Sequence, residues 1–152
     1  MRRGLIVAAA HMVLVLSVAG KLVYDRSTLP RGWVQIEPYD PELPVRGRYV
    51  RLKVNAPVRG ATRPRGHVAF TVEDGHVIAV ATDRGIPAEI RNERAIPYFP
   101  IAYFIPEHVP DPSAHPAGDE LWAEVTIPKR GLPRPIRLGV RRNGKLIPLD
   151  LE

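Results

Sequence analysis

The chain has 152 residues, 17 prolines, no cysteine, and 22 Lys and Arg against 16 Asp and Glu. That length holds one modest domain, and the missing thiols exclude disulfide staples, thiolate metal sites and cysteine nucleophiles. From residue 27 onward the charges are 18 basic against 15 acidic, a net +3 too small to argue for a nucleic-acid partner, and none is expected.

Met1-Arg2-Arg3 opens onto an apolar run, Leu5 to Tyr24, with no Asp, Glu, Lys or Arg before Lys21. A hydrocarbon core about 30 Å thick needs roughly 20 such residues as a helix. His11 and Ser17 are neutral and tolerable within it, and Lys21 and Tyr24 suit the far interface. A cleaved secretory signal would exit at Ser17-Val18-Ala19-Gly20. The run exceeds the usual h-region and no A-x-A site follows, so an uncleaved signal anchor is the better reading. Arg2 and Arg3 favour a cytoplasmic N-terminus. The expectation is a bacterial inner-membrane protein with one transmembrane helix and its C-terminal domain in the periplasm. Residues 1–26 are the anchor and juxtamembrane linker; residues 27–152 are the exported β domain.

All 17 prolines lie from Pro30 onward, which argues against long helices there. Residues 25–32 read as a linker and Trp33–Glu37 as a first strand. Pro38–Pro44 is a turn-rich connection. Tyr49–Asn55 is a strand with Val50, Leu52 and Val54 on one face, and 57–64 a basic loop. In His67–Asp83, Asp74-Gly75 is a favoured two-residue hairpin turn. Pairing across it sets Val72 against Val77, Phe70 against Ala79 and Val68 against Ala81. Ala88–Arg94 reads as one or two helical turns, Tyr98–Ile105 as a buried strand, and 106–118 as a loop. Leu121–Ile127 alternates, and Pro135–Arg141 and Lys145–Leu149 flank the turn Asn143-Gly144. Some seven or eight strands and little helix predict an antiparallel β-sandwich or partly open β-barrel.

Arg46, Arg48, Arg51, Lys53, Arg59, Arg63 and Arg65 fall in one stretch without an acid. They form a solvated strand face and loop, or a surface for anionic headgroups or an acidic partner.

Several segments together resemble the bacterial GDYxxLxY family of small membrane-associated proteins. Gly47, Tyr49 and Leu52 match its naming motif, while Arg48 and Val54 replace its Asp and second Tyr. An apolar N-terminal segment and Glu37–Pro41 precede the motif in the family's order. Ala102–Glu107 and the strand pair around Asn143-Gly144 are similar to its later segments. The resemblance implies an exported, membrane-held β domain with a multi-spanning membrane protein as partner, and no catalytic residue. Gly47 fits a strand entry, where a positive φ or close approach suits glycine, and Tyr49 a packed ring with a locally bonded hydroxyl.

Enzyme chemistry finds little footing. Pro38–Gly47 also resembles an element of type I signal peptidases, but the serine position falls near Tyr39, and the only serines are Ser17, Ser27 and Ser113. His67 and His76 sit at opposite ends of the predicted hairpin. His108 and His115, with Glu107, Asp111 and Asp119, match no metal spacing. No Gly-rich phosphate loop is present, and no cofactor is implied. The chain therefore reads as a non-enzymatic interaction protein of the envelope, with Arg46–Arg65 as its candidate surface and Tyr98–Pro106 as a second. The alternative is a small-ligand or envelope-polymer binding module using Tyr49, Tyr98, Tyr103 and Trp122.

Overall fold

A computed structural model describes residues 2–39, 49–105 and 118–149. Helix α1 runs over Arg2–Thr28 and is followed by ten described strands: β1 (Arg31–Pro38), β2 (Tyr49–Arg59), β3 (Arg65–Glu73), β4 (His76–Thr82), β5 (Ile86–Arg91), β6 (Arg94–Pro97), β7 (Ile101–Phe104), β8 (Glu120–Thr126), β9 (Arg134–Arg142) and β10 (Lys145–Pro148).

Gly4–Asp25 of α1 is long and apolar enough to cross a membrane, and none of it is buried against the rest of the chain. Its polar side chains turn inward on the helix: Ser17 Oγ donates to Val13 O at 2.7 Å, and His11 Nδ1 lies 2.9 Å from Val7 O. The helix also takes in the first four residues of the expected linker. The Lys21–Asp25 ion pair at i,i+4 ties its last turns together. Ser27 and Thr28 hydroxyls bond Tyr24 O, and Pro30 follows.

Six strands close on themselves in the order β1-β2-β6-β5-β3-β4 and back to β1. Most neighbours are antiparallel. The closure is made by β4, which runs parallel to β1 at Trp33↔His76 and parallel to β2 at Val58↔Ala79 and Arg59↔Val80. The predicted hairpin pairs as read: Val72↔Val77, Phe70↔Ala79 and Val68↔Ala81. Its turn residues Asp74 and Gly75 take φ of 48° and 74°, as do Asn143 and Gly144 with 50° and 78°, the geometry of type I′ turns. Strands β8, β9 and β10 extend the sheet from β1, and β7 pairs with the start of β2.

The barrel is narrow, and its filling shows it. Val34, Ile36, Leu52, Val54, Val68 and Val77 are buried, interleaved with Ala56, Ala79, Ala88 and Ala95, each with no exposed surface. Small barrels need this mixture of small and large inward residues.

Two expectations are corrected. Residues 88–94 do not make helical turns; they form β5, a turn at Asn92-Glu93 (φ 48° and 59°) and the start of β6. The segment is needed to fill the gap between β3 and β2, with Arg65↔Glu89 on one side and Ala56↔Ala95 on the other. Tertiary pairing overrides the local helical pattern. The basic loop also starts later than 57. Strand β2 continues through Pro57 and Val58 to Arg59, because Ala56 and Pro57 pair with β6, and the chain turns only at Gly60, φ 72°.

Candidate functional site

The basic stretch lies along β2 and the loop after it, and the fold divides it. Alternation puts Arg51, Lys53, Asn55 and Arg59 on the face opposite the buried Leu52, Val54 and Ala56. Arg51 and Lys53 flank the end of β1 farther from α1: Tyr39 N donates to Arg51 O at 2.9 Å, and Lys53 Nζ sits 4.8 Å from the Tyr39 ring centroid. Eight residues of strand, about 27 Å, separate Arg51 from Arg59. Arg59 is neutralised by Glu73 at 2.7 Å. Arg63 and Arg65 instead border an open cleft of about 460 Å³ with His67, Thr82 and Asp83. Arg46, Arg48 and Gly47 lie outside the described residues. The sequence run therefore yields two cationic areas.

The family-motif residues that are described take different roles. Leu52 is wholly buried in the barrel. Tyr49 opens β2, half exposed, with its ring edge-on to Phe104 of β7 at 5.4 Å between centroids. The buried strand expected over Tyr98–Ile105 is the shorter β7, and the segment is only half buried: Tyr98, Phe99 and Phe104 are exposed, whereas Ile101 and Ile105 are buried. Burial pushes the Tyr103 phenol above its ordinary range.

A polar line crosses the outside of β1, β2 and β6. Arg94 donates from Nη2 to Gln35 Oε1 at 2.7 Å and from Nε to Asn55 Oδ1 at 2.5 Å, and also bonds Asn55 O. Asn55 in turn donates to Glu37 Oε1 at 2.8 Å. Strand register makes this possible, since Gln35 lies directly opposite Asn55.

Both tryptophans border one further cleft of about 360 Å³, a convergence the sequence does not signal beyond placing each in a strand. Trp33 lies on β1 and Trp122 on β8, with Gln35↔Trp122 in register, so the two rings are diagonal neighbours on one face. His76 meets Trp122 edge-on at 5.9 Å. Arg137 stands 5.4 Å over Trp33 and Arg141 5.2 Å over Trp122. Gly139 leaves the room this needs, because a Cβ there would come within 2.8 Å of the Trp33 ring. Trp122 Nε1 is satisfied by Glu120 Oε2 at 3.1 Å. Of the aromatics expected in a ligand site, only Trp122 lines this cleft; Tyr49, Tyr98 and Tyr103 lie elsewhere.

Among the described residues, no three His, Asp or Glu side chains approach one another closely enough to hold a metal ion. His67 and His76 stand at opposite ends of the β3–β4 hairpin, opposite Thr82 and Glu73. His108 and His115 fall outside the described residues. Arg142 is held firmly protonated by its hydrogen bonds to Asp119, the closer at 2.6 Å.

No protein-family model, curated protein or solved structure matches the chain.

Proposed function

We propose that the chain is a single-pass protein of the bacterial inner membrane whose β domain stands in the periplasm. There it acts without catalysis, as an accessory or interaction module for a multi-spanning membrane or envelope protein. The observation that carries the reading is α1: an apolar span over Gly4–Asp25, none of it buried against the barrel. Resemblance to the GDYxxLxY family supports the same placement and partner. The partner surface is drawn from the two cationic areas, Arg51 with Lys53 and Arg63 with Arg65, which lie on strand and loop surface and so remain available.

Crosslinking in native membranes, followed by identification of the attached protein, tests this directly. Charge reversal in R51E/R63E abolishes recovery of the partner while leaving the domain folded. Full recovery with the double variant would remove the assigned surface. Protease added to spheroplasts degrades the β domain if it is periplasmic, and resistance until lysis would reverse the orientation.

A second reading rests on the convergence of Trp33 and Trp122. Their cleft gives a small-ligand or envelope-polymer module a place to bind. Arg137 and Arg141 cap the indoles, however, so a ligand must displace them. Tryptophan emission that shifts on addition of soluble peptidoglycan fragments would support this reading, and unchanged emission would remove it.

A further inference from the structure

The loop between β8 and β9, residues 127–133, is held beside the C-terminal end of α1. Ile127 N donates to Pro30 O at 3.0 Å, and Pro30 is two residues past the end of α1. Three helical and two extended residues carry the chain no more than about 12 Å from Asp25, the last residue of the apolar span, to Pro30. The loop is also fixed from below. Ile127 and Pro133 are buried, Leu132 packs on the core, and Gly131 turns the backbone at φ 92°. Its tip, Lys129 and Arg130, is exposed.

That tip borders a groove of about 610 Å³. Phe70, Ile86 and Leu132 contribute apolar walls, Phe99 is 62 % exposed, and Arg84 adds a third cation beside Lys129 and Arg130. No carboxylate lines the groove, and none of the three cations is in an ion pair among the described residues. On the helix side Arg134 borders a separate notch with Leu22, Asp25 and Leu29.

An apolar groove bordered by cations that have no ion pair among the described residues, tied to the end of an apolar helix of membrane-spanning length, matches one chemistry in particular. We infer that Arg84, Lys129 and Arg130 seat the headgroup of an anionic phospholipid from the leaflet that α1 leaves. Phe99 and the groove walls meet the glycerol and upper acyl region. The β domain thereby lies down on its own membrane, with one face fixed. This rests on α1 spanning the bilayer. The attraction falls off over a Debye length of about 8 Å, so it favours cations beside the helix exit over those at the far end of the barrel.

The four lysines of the chain, Lys21, Lys53, Lys129 and Lys145, provide the test. Full-length protein is reconstituted into vesicles of phosphatidylcholine, alone or with one-third phosphatidylglycerol. A membrane-impermeant acetylating reagent is added, and each lysine is quantified by mass spectrometry. Acetylation of Lys129 falls roughly tenfold in the anionic vesicles, while Lys53 and Lys145 are unchanged, and high salt restores it. The R84E/R130E variant restores it without salt. Equal labelling of Lys129 in both vesicles, or equal slowing of all exposed lysines, overturns the docking. Flotation of the same samples separates the premise: protein that floats with both vesicles but leaves Lys129 open refutes only the docking. Protein that floats with neither refutes the anchor, and the docking with it.

Discussion

Arg94 does at one position what several residues share elsewhere. Its guanidinium spans β1, β2 and β6, bonding Gln35 Oε1, Asn55 Oδ1 and Asn55 O from a half-buried site. A lysine has the charge but not the fork needed for both amides. Arg94→Met should cost about 1–2 kcal/mol in urea unfolding, with Arg94→Lys in between. Equal stability of wild type and Arg94→Met would show that water replaces the network without loss. Tyr103 gives a second, pH-dependent handle. Burial disfavours its phenolate, so the folded protein holds the proton at a pH where the unfolded chain, near its ordinary 10, releases it. The contribution of Tyr103 to stability is therefore flat through neutral pH and declines as pH rises above about 10. Urea midpoints at rising alkaline pH should fall less in Tyr103→Phe than in wild type.

Turns decide which elements could be read in advance. Asp74-Gly75 and Asn143-Gly144 carry the residue types that accept positive φ; the first hairpin follows the register its apolar face predicts, and the second pairs Lys145 with Arg142 directly across its turn. The β5–β6 hairpin uses the same turn geometry at Asn92-Glu93, but glutamate there hides the signal, and Ala88–Arg94 then reads as helix. Glu93 is held at φ 59° because its carbonyl accepts from Val58 N at 2.9 Å, locking the turn to β2. Glu93→Gly keeps that carbonyl and removes the left-handed strain. It should stabilise the domain by about 0.5–1 kcal/mol, read as a raised urea midpoint. A lowered midpoint would mean that the Glu93 side chain supports the turn in a way its backbone does not.

At the scale of the molecule, the apolar N-terminal helix and the β class were legible because each is a property of composition and period. The site was not, because closure of the barrel rearranges residues by partner rather than by sequence. The run from Arg46 to Arg65 looks continuous, yet β2 separates Arg51 from Arg63. Lys129, Arg130 and Arg84, far apart in the chain, come to one groove. The same architecture separates helix from barrel. α1 buries none of its apolar span on the barrel; Leu22 and Asp25, with Leu29 just past the helix, border a shallow notch with β8 and β9. The Ile127–Pro30 bond that ties the loop down lies beyond the helix. A chain beginning at Ser27 should therefore fold in water without detergent, with a β-type circular dichroism spectrum. Its stability should lie within about 0.5 kcal/mol of the full-length protein in detergent, the usual range for changes away from the core. Aggregation or loss of structure on removing residues 1–26 would mean that the helix covers part of the domain. In that case its apolar surface would serve the fold rather than the membrane.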